Sequence, residues 1–182
     1  GWNLFDIERY LTKKWITHSE YIHKPPKDYF PKLIKKYAFI THLPNLEGIL
    51  YPDTYRIPQN STIEQVVEIA IKNFDSKIYS KLSSSSQSRF YKTLILASIV
   101  EKEERVFEEK YYVAGVLTKR IEVGMSLGAD ATVCYALSLS TSDCTPKDII
   151  AGLSSTSLYN TRKFTWLPPS PISNISRESW LA

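Results

Sequence analysis

The chain has 182 residues, 43% of them hydrophobic and 23% charged, a composition that excludes wholesale disorder, collagen and coiled coil. The formal charge of +4 is mild and the lysines are scattered (Lys13-Lys14, Lys24, Lys27, Lys35-Lys36), so they read as solvated faces and not as a nucleic-acid footprint. No apolar run reaches the ~18 residues of a membrane helix and no signal peptide is visible; the chain reads as a segment of a longer protein, starting at Gly1 and stopping at Ala182 as a new helix begins.

In chain order, Asn3 and Asp6 predict an N-cap, followed by a stripe of Ile7, Tyr10, Leu11 and Trp15 on one helix face. A helix around Tyr29–Tyr37 sits between Pro-interrupted loops. Leu46–Tyr55 reads as extended chain with a turn, because Gly48 and Pro52 punctuate it. Ser61-Thr62-Ile63-Glu64 reads as a capping box, and Val66, Val67, Ala70, Ile71 and Phe74 form the apolar face of the helix it opens. The serine run Ser83–Ser86 reads as a loop. A helix from about Ser88 follows, then another to about Ile121, with a break near Arg105–Glu109. Gly124 and Gly128 bracket a loop, and Thr132–Leu137 is a short helix. Thr145 as cap, Pro146 at the first position, Asp148 in the first turn and Gly152 as the stop define another helix. The fold class expected is α+β: a helix-rich catalytic domain with a small β component, its strands around Leu46–Tyr55 and Tyr159–Ile172.

The chemistry concentrates in two places. On a helix through Ala97–Arg105, Glu103 has Val100, Ile99 and Leu96 behind it and Val106 and Phe107 ahead, all apolar. Glu101 faces Ser98 and Ala97 and is expected to pair with Arg105. A carboxyl group against apolar side chains is costly to ionise, and an acid kept protonated can give its proton to a leaving oxygen. Glu103 is therefore the candidate general acid; the bland alternative is a rim residue with its head in water. The second place is polar. Asp130 and Thr132 flank a turn, with Tyr135 one turn later, and Tyr159-Asn160-Thr161 precedes the stiff Leu167-Pro168-Pro169; hydroxyl and amide groups of this kind suit sugars. Cys134 and Cys144 make no zinc site or disulfide framework; they pair, or remain two buried thiols. His18, His23 and His42 lack ligand spacing, so no metal and no other cofactor is expected.

Taken in order, the motifs resemble the endolytic murein transglycosylases, the YceG-like (MltG) family. They are Leu46-Glu47-Gly48 with Pro52-Asp53-Thr54-Tyr55; Ala97-Ser98-Ile99-Val100-Glu101-Lys102-Glu103; Val113-Ala114-Gly115-Val116 with Arg120; Gly124-Met125 with Leu127; Asp130, Thr132-Val133 and Tyr135; Tyr159-Asn160-Thr161; and Leu167-Pro168-Pro169 with Pro171-Ile172. The resemblance covers nearly the whole chain. It implies that Glu103, the second Glu of the Glu-Lys-Glu motif, is catalytic, and that the substrate is the peptidoglycan glycan strand. Cleavage between N-acetylmuramic acid and N-acetylglucosamine would leave a 1,6-anhydro end, with Tyr159, Asn160, Thr161, Asp130, Thr132, Tyr135 and Glu47 as candidate substrate contacts. It further implies a periplasmic catalytic region on the inner membrane, beside peptidoglycan synthases (penicillin-binding proteins). Residues 1–182 would be that catalytic region, without the anchor, the N-terminal small domain or the family's last stretch. Alternatives are a hydrolytic muramidase with Asp130 as base, or a non-catalytic peptidoglycan-binding module. The chain departs from the family pattern at Glu104, Lys119, Ala131, Arg162 and Trp166. Glu104, next to the acid, is expected to push its pKa up.

Overall fold

The computed structural model describes residues 1–140 and 142–182. Among the described residues ten α-helices follow one another: α1 (Leu4–Lys13), α2 (Pro26–Tyr29), α3 (Pro31–Lys36), α4 (Ile63–Lys77), α5 (Ser84–Gln87), α6 (Phe90–Glu103), α7 (Phe107–Glu122), α8 (Asp130–Ala136), α9 (Pro146–Gly152) and α10 (Arg177–Leu181). Short 3-10 turns lie between some of them. No strand occurs among the described residues, so the expected β component is corrected to none.

The reason lies in where the backbone groups of the two expected strands go. Leu46, Ile49 and Leu50 are buried, but in a series of turns. Leu50 N–H donates to the Asn174 side chain at 2.7 Å. Ile172 N–H donates to the Ser98 hydroxyl at 3.0 Å, and the Ser173 hydroxyl donates to the Ser98 carbonyl at 3.0 Å. Side chains thus supply the partners that a neighbouring strand would have offered. Buried apolar runs of this length do not distinguish a strand from a packed loop.

Helix starts follow their caps. Asn3 and Asp6 exchange bonds at 3.0 and 3.2 Å at the head of α1. Thr145 and Asp148 do so at the head of α9, with Pro146 first. The α4 box forms one residue later than Ser61 and Glu64 predict: Thr62 caps, with Gln65 as its partner. Glutamine serves that position as well as glutamate, and the Ser61 hydroxyl is committed to the Pro58 carbonyl at 2.7 Å. Ser83 caps the small helix α5 where a loop is expected. Trp15 falls outside α1, at φ +60° and 92% exposed, so it does not join the apolar stripe.

Helix α6 spans two apolar clusters. Phe90, Leu94 and Ala97 belong to the first, with α1, α3, α4 and Ile175. Ile99 and Val100 belong to the second, with Ala114 and Leu117 of α7, Leu127, Tyr135 of α8 and Ile172. An all-round apolar middle is the mark of a buried helix. At the junction of α8 and α9 the fold needs a glycine: a Cβ on Gly152 would sit 2.5 Å from Val133 Cγ1. The Cys134–Cys144 pair, open in the sequence, is a disulfide whose Cα atoms are 5.8 Å apart, tying α8 to the approach of α9.

Candidate active site

Glu103 is the last residue of α6, and the chain turns away at Glu104. Ile99 and Val100 root this end of the helix in the second cluster, at 0% and 1% exposure. Ahead of it Val106 and Phe107 are exposed, because the helix has already ended. The expected greasy stripe is therefore half present, behind the acid only. Glu103 itself is accessible. Its carboxyl group nevertheless stands above the ordinary glutamate value, first through loss of solvent around it and then through the negative charge of Asp130. Arg162, the Ala131 backbone N–H and Arg120 pull the other way. A helix C-terminus adds its own bias against a carboxylate. The shift is that of a partly wetted acid, since much of the residue is open to solvent.

Two expectations about its neighbours are corrected. The negative charge that lifts Glu103 is Asp130 and not Glu104; the Glu104 carboxylate accepts from the backbone N–H groups of Val106 and Arg105 at 2.7 and 2.6 Å, which hold its own pKa low. Glu101 does not pair with Arg105. It is turned inward, with Lys110 Nζ at 3.4 Å and the hydroxyls of Ser176 and Ser179 donating to it. Burial raises its pKa, but the Gly1 amine, Ser179 and Ser176 outweigh that and hold it at about 2.

Asp130 opens α8 and pairs with Arg162 Nε at 2.5 Å, both about half exposed. This pair stands beside the acid and brings the α8 start and the 157–162 loop together. Below it the contacts are internal. Thr132 and Thr161, 0% and 1% exposed, join through their hydroxyls at 2.8 Å. Thr132 also donates to the Ala129 carbonyl, and Thr161 accepts from Ala129 N–H. Asn160, 0% exposed, donates to the carbonyls of Gly152, Leu153 and Ser155 at 3.0–3.2 Å and accepts from Arg162 N–H. These three side chains are spent on shaping the loop. Tyr159 is half-buried; its hydroxyl meets Ser170 Oγ at 2.6 Å and its ring lies 4.9 Å from Tyr135. Tyr135 reaches Glu47, which is 1% exposed and accepts from Leu4 N–H at 2.9 Å and from Asn174 at 3.2 Å. Burial lifts Glu47 to about 8. Glu47 is thus an interior acid beneath the site, away from any surface a polymer can reach.

Arg162 was legible only as a departure from the family pattern. Its pairing with Asp130 joins two segments 32 residues apart, which no local spacing reveals. Two cavities of about 470 and 570 Å³ lie elsewhere, one bordered by Lys36, Gln65 and Lys72, the other by Tyr10, Tyr51 and Asn174. Glu103 faces an open surface at the junction of α6, α8 and the 157–162 loop.

Comparison with known proteins matches this architecture. The model of the YceG-like family covers residues 1–182. The endolytic murein transglycosylase of Bacillus subtilis strain 168 is 31% identical over 184 residues, covering 97% of this chain and 50% of that protein. The protein of the same name from Streptococcus pneumoniae D39 is 30% identical over 138 residues, covering 74% of this chain and 25% of its own. A crystal structure of a YceG-like protein from Listeria monocytogenes superposes with a TM-score of 0.79 at 29% identity, over 98% of this chain and 61% of the other. The chain thus spans about half the length of the Bacillus protein or less of the others in sequence. With the family's motifs in order along the chain and the matching fold around them, this chain belongs to the YceG-like family.

Proposed function

We propose that this chain is the catalytic region of an endolytic peptidoglycan lytic transglycosylase with Glu103 as its acid. Glu103 protonates the glycosidic oxygen between N-acetylmuramic acid and N-acetylglucosamine. The acetamido group of the substrate stabilises the positive charge at C1. Glu103, now a carboxylate, takes the proton from the C6 hydroxyl as that oxygen attacks C1, giving a 1,6-anhydro end with no water consumed. Acid–base action by one positioned carboxyl contributes roughly 10²–10⁴-fold.

The observation that carries this reading is the position of Glu103: accessible at the end of α6, yet with its acid form favoured by desolvation and by Asp130. An open surface suits a polymer cut internally, which must lie across the site and not enter a closed pocket. Asn160, Thr132 and Thr161 act here by holding the loop that carries Arg162, and preorganisation of that kind lowers the barrier. Asp130 is committed to Arg162, which argues against its serving as the free base of a hydrolytic muramidase. The Cys134–Cys144 disulfide fits a reaction outside the cytoplasm. We extend the reading to a membrane-anchored enzyme working beside peptidoglycan synthases.

The test is digestion of uncrosslinked glycan strands by the whole protein, with and without Glu103→Gln, read by mass spectrometry. Anhydro ends from the parent and none from the variant are expected. Equal anhydro product from both overturns the assignment, reducing ends point to hydrolysis, and binding without cleavage by the parent points to a binding module.

A further inference from the structure

The loop that delivers Arg162 to Asp130 continues through Lys163, Phe164, Thr165 and Trp166. Its start is closed by backbone bonds from Lys163 and Phe164 to the Asn160 carbonyl, at 3.1 and 3.0 Å. Its end is fixed where Leu167 packs on the second apolar cluster and Pro168 is buried. Between these anchors the rings of Phe164 and Trp166 stack, with centroids 4.5 Å apart and planes 17° from parallel. Lys163 Nζ lies 5.7 Å from the Phe164 ring centre. Phe164 is half-buried, whereas Trp166 remains 49% exposed. Phe164 therefore backs one face of the indole and leaves the other to solvent. A large flat ring, held rigid and left exposed, is an unfavourable surface residue unless something covers it.

Its location says what does. Four residues of chain reach at most ~14 Å, so Trp166 lies within a short oligosaccharide of Arg162, whose charge acts on Glu103. The apolar cluster beneath Leu167 is the same one that roots the end of α6. The segments that carry the acid and the indole thus pack on one core. Sugar rings present flat, weakly polarised C–H faces that pack well on the negative face of an indole.

Resting on the transglycosylase reading above, we propose that Trp166, backed by Phe164, is a stacking platform for a sugar ring of the glycan strand near the scissile bond. It is a binding and positioning residue, and the proton transfers stay with Glu103.

The whole protein carrying Glu103→Gln is titrated with uncrosslinked glycan strands, following tryptophan fluorescence and heat. Adding Trp166→Gly is expected to weaken binding roughly three- to tenfold, the size of one aromatic stacking contact, and to remove the ligand-induced fluorescence change. Trp166→Tyr is expected to restore most of the affinity, and Trp15→Ala, at a more exposed tryptophan elsewhere, to leave it as it was. With Glu103 present, the Trp166→Gly loss is expected to fall on KM more than on kcat. Unaltered affinity in Trp166→Gly overturns the platform. So does a lowered melting temperature with unaltered affinity, which would mean that another part of the protein covers the indole. Persisting cleavage by Glu103→Gln overturns the acid assignment and leaves the platform standing, because the Trp166 contrast is read as binding.

Discussion

Replacing Glu47 by Gln isolates the energetics of an acid sealed inside the fold. Glu47 is 1% exposed, and burial raises its pKa from 4.5 to about 8. The folded state therefore keeps a proton that the unfolded chain gives up above pH 4.5. Where the folded state holds more protons, stability falls as pH rises. The contribution is fully present below 4.5 and is lost progressively up to about 8. That interval, at about 1.4 kcal/mol per pH unit, caps the loss at about 5 kcal/mol. Relaxation and water entry reduce it, so a loss of about 2–3 kcal/mol between pH 5 and 8 is expected. The glutamine variant does not titrate. It also sets an amide against the Asn174 amide, which donates to Glu47 and to the Trp2 carbonyl, so at pH 5 it should be less stable than the parent by about 1–2 kcal/mol. Urea unfolding of both proteins at half-unit steps from pH 5 to 9 gives the difference curve, in which other titrating groups cancel. The parent's advantage should shrink and reverse toward pH 8. A difference that stays flat across the series would refute the picture of a buried neutral acid.

Three further outcomes are expected. The alkaline limb of kcat/KM on glycan strands should lie above the ordinary glutamate range, because the acid must be protonated and Glu103 is raised. Asp130→Asn should move that limb to lower pH and Arg162→Ala to higher pH; coincident profiles would show that the pair does not act on the acid. Asn160→Ala strips the partners from three carbonyl groups and should cost about 2–3 kcal/mol in urea unfolding, with activity lost alongside. Reducing the Cys134–Cys144 bond should cost about 3 kcal/mol by freeing a short loop in the unfolded chain, seen as a lower urea midpoint in reductant.

Much of the helical framework is written locally. Asn3 with Asp6, and Thr145 with Pro146 and Asp148, define helix starts that depend only on residues three apart. Glu103 too is legible, from its motif and from Ile99 and Val100 one turn back. The sequence pattern overreaches where it extends the helix past Glu103: the apolar residues ahead of it are exposed, because Glu104 bonds the following backbone and ends α6.

What the sequence alone determined, then, is the capped starts of α1 and α9, the helical course of α4, α6 and α7, and the placing of Glu103 one turn beyond Ile99 and Val100, since each rests on spacings within a turn or two. Only the tertiary structure decided whether the apolar stretches at 46–55 and 159–172 pair as strands or thread as loops. Their hydrogen-bond partners, Asn174 and Ser98, are 124 and 74 residues away along the chain. The same holds for the surroundings of Glu103. Asp130 and Arg162 meet there because α8 and the 157–162 loop are locked through Thr132 and Thr161, and the charge around an acid depends on distances in space that chain order does not encode.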